Sequence, residues 1–288
     1  MAMLFTPRHD FLIGVDSDGC VFDSMEVKQV MHFHPLIIRH WNLRKVERQL
    51  RALAEYVNLH SGWRGSNRFV ALLKTFELLE ETPSVVRSGV ELPDLRPLRE
   101  WVESGAALSN DSLEEAAKEE PELRRVLEWS LAVNRDVANR MVAIPPFEGA
   151  AEAVRRMHER ADTVVISLTP VEALEHEWST HGLRKDVDGI AGQEWGTKQE
   201  QLRLALSQKD YDPDKVMLVG DAPGDLKAAR EVGVCFYPTV PGDEVASWKR
   251  LLAGDLDRFF EGTYRGGVED ARIGEFEAAL AGEPPTDL

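Results

Sequence analysis

The sequence predicts an α/β chain, a doubly wound parallel sheet interrupted by an all-helical insertion, and three observations carry that prediction. From Ala143 onward, short β-branched apolar runs alternate with segments of helical period. One more such run, "FLIGV", stands by itself at residues 11–15. Between Met25 and Met141 every long segment has helical spacing and none reads as a strand. Strands separated by helices pair in parallel through crossovers that cover both sheet faces, so their runs are apolar throughout rather than alternating.

The elements follow in order. "FLIGV" is the first strand. The insertion contributes "MEVKQVMHFHPLIIRHW", "RKVERQLRALAEYVNLH", "SNRFVALLKTFELLEE" and "PELRRVLEWSLAVNRDVANRM", all helical in period. "AIPPF" brings the chain back, with Pro145 and Pro146 as a stiff point of return. "PFEGAAEAVRRMHERA" is a helix, "TVVIS" (163–167) a strand, "PVEALEHEWSTHGL" a helix and "DGIAG" a weak strand. "TKQEQLRLALSQ" is a helix that Thr197 caps. "KVMLVG" (215–220) is a strand, and "PGDLKAAREVG" a helix with Pro223 at its start and Gly233 at its end. "VCFYPTV" closes the sheet, and "ASWKRLLAGDLDRFF" and "GEFEAALAGE" are two more amphipathic helices before a frayed "EPPTDL". The predicted organisation is therefore a Rossmann-like core from residues 1–24 and 143–266, a helical domain over 25–142, and a C-terminal helix and tail over 267–288.

Composition narrows the function. The 288 residues are 43% hydrophobic, enough for a substantial core. No apolar run approaches the roughly 20 residues of a membrane span. "MAMLFTPRHD" lacks the basic and long apolar regions of a leader, so a cytoplasmic protein without membrane attachment is expected. Cys20 and Cys235 are the only two cysteines, too few for a disulfide framework and expected as buried thiols. Lys+Arg 34 against Asp+Glu 50 gives a net charge of −16, which disfavours nucleic acid as a partner. The seven tryptophans accordingly read as packing rather than base-stacking platforms.

The candidate chemistry starts where the first strand ends. Asp16 and Asp18 follow "FLIGV", and in extended chain residues two apart share a face. Two bare carboxylates about 4 Å apart repel by roughly 4 kcal/mol at an effective dielectric of about 20. Either one holds a proton or a cation sits between them, and hard oxygen ligands suit Mg²⁺. "VMLVGDAPGD" ends another strand with Asp221 and, in the first turn of the next helix, Asp225, able to bind the cation or to hold the loop around it. "TVVIS" ends in Ser167 with Thr169 close behind, where hydroxyl and backbone N–H groups can hold a phosphate oxygen. "GQEWGTK" brings Lys198, a cation able to offset phosphoryl charge.

"DSDGCVFDS", "VVIS", "GTK" and "GDAPGD", in this order, resemble the haloacid dehalogenase superfamily, in its phosphatase branch, with the helical insertion where that family carries its C1-type cap. The resemblance implies that Asp16 is the nucleophile, forming an aspartyl-phosphate, and that Asp18 is general acid and then base for water. It implies that Ser167 and Lys198 hold the phosphate, and that Asp16, the backbone carbonyl of Asp18 and Asp221 bind Mg²⁺ with support from Asp225. A leaving alkoxide needs a proton and a leaving halide does not, so Asp18 favours phosphate transfer over dehalogenation. The expected activity is a Mg²⁺-dependent phosphomonoesterase acting on a small phosphorylated metabolite, broadly a phosphoglycolate-like or sugar-phosphate ester. A phosphomutase and a non-catalytic metal-dependent binding protein are the alternatives. A phosphonate hydrolase would need a cap lysine such as Lys45 or Lys74 as Schiff-base nucleophile.

In the insertion, "NLHSGWRGSNRF" (58–69) separates two helices and presents Arg64, Asn67 and Arg68. Those three are candidates for binding a second anionic group of the substrate, with a plain helix-to-helix turn as the other reading. Asp23 and Ser24 read as turn or cap residues. His32 and His34 lack metal-ligand spacing and read as packing or surface groups.

Overall fold

The structure, a computed structural model, describes residues 4–286 and Leu288. Residues 1–3 of the N-terminal stretch read above as no leader, and Asp287 in the expected frayed end, lie outside the described residues. The chain divides into two compact units: an α/β unit that runs to Met25 and resumes over Ala143–Ala281, and a helical unit of Glu26–Val142 joined by 282–288.

In the α/β unit, β1 (Leu12–Val15), β2 (Asp162–Ile166), β3 (Gly189–Ala191), β4 (Val216–Gly220) and β5 (Cys235–Pro238) form one parallel sheet in the order β3-β2-β1-β4-β5. Every strand residue is buried, as expected for a sheet covered on both faces. Side chains alternate between two cores: Ile13, Val15, Val165, Met217 and Val219 pack with Trp178 and Trp248, while Leu12, Val164, Ile166, Leu218 and Phe236 pack with Leu202 and Phe276. A one-residue slip of β1 would exchange those faces, so packing on both sides sets the register. That register aligns Val15 with Val165 on one side and Val219 on the other, which brings the three following loops to the same end of the sheet.

The chain leaves β1 for β2 on one side and later crosses to β4 on the other. The crevice at such a switch point, beyond the carboxyl ends of the strands, is where open α/β sheets bind ligands. The exposed edge of β5 is covered by the helix Gly267–Leu280: Phe276 meets Phe236 edge-on at 5.9 Å, and the Phe236 N–H donates to Glu269 at 2.7 Å. This helix therefore belongs to the α/β unit, whereas the sequence set 267–288 apart. The segment expected as one helix over 246–260 is instead two, Glu244–Arg250 and Leu256–Phe260, because Gly254 leaves helical backbone between them.

The helical unit contains Glu47–Leu59, Arg68–Glu81 and Pro121–Arg140 near their predicted positions, plus Pro83–Ser88, Arg96–Glu103 and Asn110–Ala116, which are too short for periodicity to reveal. Its core centres on Trp41, Phe76 and Trp129, with Trp41 against Phe76 at 5.2 Å and against Trp129 at 6.2 Å. The helix expected over 25–41 widens into a π-turn at Lys28–Phe33, where the His34 N–H bonds the Gln29 carbonyl. Pro35, which has no N–H to give, follows at once. No helix among the described residues is long and apolar enough to cross a membrane.

Candidate active site

The parallel ladder carries one step past β1: the Asp16 N–H donates to the Val219 carbonyl at 2.9 Å, which brings Asp16 beside the end of β4. Asp16, Asp221 and Asp225 are all buried, and one carboxylate oxygen of each lies within 4.8 Å of the others. Gly220 makes this approach possible. A Cβ there would lie 2.5 Å from Asp225 Cγ, so only glycine lets the Asp225 side chain fold back under the tip of β4. Asp225 Oδ2 then accepts from the Ala222 N–H at 3.0 Å, closing the loop that holds Asp221.

Lys198, the first residue of the helix Lys198–Leu206, reaches across from the loop after β3. Its Nζ donates to Asp16 Oδ2 at 2.7 Å and to Asp225 Oδ1. The helix is started by Thr197, whose hydroxyl accepts from the Glu200 N–H while Glu200 returns to the Thr197 N–H, a closed capping box. Burial by itself would lower the Lys198 proton affinity, but the Asp16 and Asp225 carboxylates outweigh it and hold the group as an ammonium. Burial pushes Asp16 well above the usual carboxylate range, and Asp225 and Asp221 add to that against the opposing pull of Lys198. Burial, then Asp221 and Asp16, likewise push the Cys20 thiol up, so it stays protonated beside them.

Three buried carboxylates face one ammonium, which leaves negative charge that a divalent cation would balance. The donor set is oxygen only, compact and enclosed, and it fits a hard ion of the Mg²⁺ class. The Asp18 side chain is not in this group. It is half-buried, with Oδ2 accepting from the Thr169 hydroxyl at 2.6 Å and Oδ1 from the Ser24 hydroxyl. Ser167 is buried at the end of β2, its N–H donating to the Ala191 carbonyl at 3.0 Å and its hydroxyl oxygen accepting from the Thr169 N–H at 3.3 Å.

Arg64, Asn67 and Arg68 are described within the helical unit. Arg64 is buried and donates to the Leu59 carbonyl at 2.9 Å. Asn67 caps the helix Arg68–Glu81 and donates to the Leu108 carbonyl at 2.8 Å. Arg68 donates to Asn134 Oδ1 at 2.6 Å and to the Ser130 hydroxyl at 3.2 Å, and lies over the Phe33 ring. All three thus hold the unit's own backbone and side chains. His32 pairs with Asp136 at 2.8 Å, and His34 is enclosed.

One residue escaped the sequence reading. Gln201 is fully buried, and its amide nitrogen meets three carbonyls, those of Ser167 at 2.9 Å, Gly192 at 3.0 Å and Gly196 at 2.9 Å. One side chain therefore ties the loop after β2 to both ends of the loop that delivers Lys198. Its position one turn along the helix from Lys198, on the same face, was the available signal.

Comparison with known proteins fits this geometry. Residues 101–237 match the family described as haloacid dehalogenase-like hydrolases. Over that stretch the chain is similar to members of that family. The matched stretch contains Ser167, Lys198, Asp221 and Asp225, while Asp16 and Asp18 precede it. Members of this family generally use Mg²⁺. Among solved structures, a haloacid dehalogenase-like hydrolase from Xanthomonas campestris is 12% identical, with 92% of this chain and 100% of that one covered and a TM-score of 0.49. A hydrolase of the same family from Streptococcus pneumoniae is 14% identical, with 84% and 97% covered and a TM-score of 0.44. A structure from Haemophilus somnus described as a predicted phosphoglycolate phosphatase is 13% identical, with 80% and 86% covered and a TM-score of 0.42. No curated protein sequence matches the chain significantly.

Proposed function

We propose that this chain is a Mg²⁺-dependent phosphomonoesterase that hydrolyses a small phosphate ester through an aspartyl-phosphate on Asp16. The observation that carries the proposal is the division of labour between two carboxylates two residues apart. Asp16 lies buried beside Asp221, Asp225 and the Lys198 ammonium, and Asp18 stands half-exposed outside that group. The first is the arrangement a nucleophile toward an anionic phosphoryl group needs, and the second the arrangement a proton carrier needs.

Asp16 and Asp221 would hold the ion, with the backbone carbonyl of Asp18. Both Asp225 oxygens already accept hydrogen bonds, which favours it as the group that fixes Lys198 and the Asp221 loop. When bound, the ion supplies charge neutralisation at the phosphoryl oxygens. In the first half-reaction an Asp16 oxygen forms a bond to phosphorus, the bond to the ester oxygen breaks, and the leaving alkoxide takes the proton of Asp18. Water then attacks the same phosphorus, gives its proton to Asp18 and releases inorganic phosphate and the Asp16 carboxylate. Ser167 and Lys198 orient the phosphoryl oxygens throughout. Dehalogenation would leave Asp18 without work, since halide departs unprotonated.

The test is release of inorganic phosphate from p-nitrophenyl phosphate and from a panel of sugar and short-chain acid phosphates. Turnover that requires Mg²⁺, stops with EDTA and is absent from Asp16→Asn supports hydrolysis. Turnover indifferent to EDTA and to that substitution overturns it. Phosphate reappearing on another hydroxyl of the same sugar would show a phosphomutase.

A further inference from the structure

Ser167 and Thr169 sit on one loop, and their hydroxyl protons are committed differently. Ser167 Oγ accepts from the Thr169 N–H at 3.3 Å, a contact that does not use its own proton. Thr169 Oγ1 donates to Asp18 Oδ2 at 2.6 Å, so its proton is committed to that carboxylate. On the far side of the same carboxylate the buried Ser24 hydroxyl donates to Oδ1. Asp18 is therefore gripped at both oxygens by two hydroxyls from separate segments.

The Thr169 end of that grip is rigidly placed. The Thr169 carbonyl accepts from the Gln193 N–H at 3.1 Å, and a Cβ on Gly192 would lie 2.6 Å from that carbonyl oxygen, so the two loops touch backbone to backbone. Gln201 then links the carbonyls of Ser167 and Gly192 from behind. A hydroxyl at a fixed place, bonded at short distance to a half-exposed carboxylate, is a device for aiming that carboxylate.

We propose that Thr169 is a positioning residue that acts on the reaction through Asp18, and that it is not a ligand of the phosphate. The proposal rests on the phosphomonoesterase reading of the site. Asp18 moves a proton to the leaving oxygen and later takes one from water, and both transfers need one of its oxygens on line. Removing the Thr169 hydroxyl takes away the hydrogen bond that fixes Oδ2 and so loosens the aim of that oxygen. The loss falls on steps that need a proton and spares those that do not.

The experiment compares wild type, Thr169→Val, Thr169→Ser, Asp18→Asn and the Asp18→Asn/Thr169→Val double variant on an alkyl phosphate and on p-nitrophenyl phosphate, whose leaving group departs without help. Thr169→Val is expected to lose about 10- to 100-fold in kcat/KM on the alkyl ester and less than about 3-fold on the nitrophenyl ester, within the usual worth of general acid catalysis. Thr169→Ser should recover most of the loss, and the double variant should be no worse than Asp18→Asn. Calorimetric titration with inorganic phosphate gives a readout apart from turnover: Thr169→Val should bind it as wild type does, while Ser167→Ala binds it about 10-fold more weakly. If Thr169→Val does not fold, Thr169→Ala replaces it. Equal losses on both esters, additive loss in the double variant or weakened phosphate binding by Thr169→Val would make Thr169 a phosphate ligand and overturn the proposal. Wild-type turnover that Asp16→Asn leaves intact would instead remove the phosphomonoesterase reading, and this proposal with it.

Discussion

At one end of the sheet in the α/β unit, Asp16, Asp221 and Asp225 crowd together around Lys198, every one of them buried. In the helical unit the enclosed polar atoms are dispersed and mostly neutral: His34 Nε2, Trp41 Nε1 and Trp129 Nε1 are buried and meet no hydrogen-bond partner among the described residues, and the one carboxylate oxygen of this kind, Glu122 Oε2, belongs to a group whose other oxygen pairs with Arg125 at 3.5 Å. The two kinds of burial differ in scale. An orphaned indole N–H costs about 1–3 kcal/mol, which the packing of so large a ring can offset, so it survives as a by-product of filling a core. Clustered carboxylates cost far more unless something compensates them, and no gain in packing explains three of them with their oxygens converging. The contrast teaches that burial of polar groups marks function where the groups are charged and convergent, and marks packing where they are neutral and dispersed.

The largest expected effect tests the charged side of that contrast. Asp16→Asn should cut kcat at least about 10³-fold, because an amide neither attacks phosphorus nor completes the carboxylate set. The same variant should melt no lower than wild type in metal-free buffer, and higher if the repulsion among the three carboxylates outweighs the lost contact with Lys198. A melting temperature well below wild type would mean that Asp16 is held for structure, and the distinction between the units would fail.

Next comes the neutral side. Trp129 is fully buried against Phe33 and Trp41, so Trp129→Ala should cost about 3–5 kcal/mol of stability, read from denaturant unfolding by circular dichroism. Trp129→Phe keeps an aromatic ring, smaller by the pyrrole part, and deletes the orphaned N–H, and should lose less than the alanine variant. If it lost as much as the alanine variant, the indole N–H would have a partner that matters, and the helical core would hold a polar site of its own.

His34 gives the contrast a pH dependence. Burial, helped by the nearby Arg51 cation, pushes its pKa from 6.5 down to about 4, so the folded chain keeps a neutral imidazole that the unfolded chain protonates first. The unfolded state binds the extra proton between those values, and stability therefore falls as pH drops from 6.5 toward 4. The full contribution is present above that window, and about 3 kcal/mol is lost across it. Unfolding midpoints measured from pH 7 to pH 4 should fall less steeply for His34→Leu than for wild type. Parallel slopes would mean that His34 is protonated in the folded chain as well.

What the sequence disclosed and what it concealed divide along the same physical line. Apolar runs such as "TVVIS" and "KVMLVG" and the acidic tips that follow them are local patterns, so strand positions, sheet class and the candidates Asp16, Asp221, Asp225 and Lys198, which the fold brings together, could be read directly. Partners were not legible, because they come from elsewhere in the chain. Nothing near Thr169 says that its proton goes to Asp18, and nothing in "TKQEQ" says that Gln201 will meet three carbonyls. The arginines at 64 and 68 look like anion binders by residue type, and nothing nearby in the sequence says that they will also meet a carbonyl, an amide and a hydroxyl brought close by helix packing. The π-turn before Pro35 was hidden for a different reason: hydrophobic period reports a helix but not which carbonyl each N–H reaches.

The smallest effect bears on the start of the helix Arg68–Glu81. Asn67 Oδ1 accepts from the Phe69 N–H at 3.0 Å, satisfying one of the donors that a helix start leaves open, while Nδ2 donates to the Leu108 carbonyl. Asn67→Ala removes both bonds and should cost about 1 kcal/mol, the ordinary worth of such a cap. Asn67→Asp keeps the acceptor and loses the donor, so it should fall between alanine and wild type in urea midpoint. Neither should change KM for a phosphate ester if the side chain only holds the helix start. A raised KM with an unchanged midpoint would move Asn67 from the packing of its own unit to the binding of substrate, and the helical unit would then share in the chemistry that the charged cluster otherwise carries by itself.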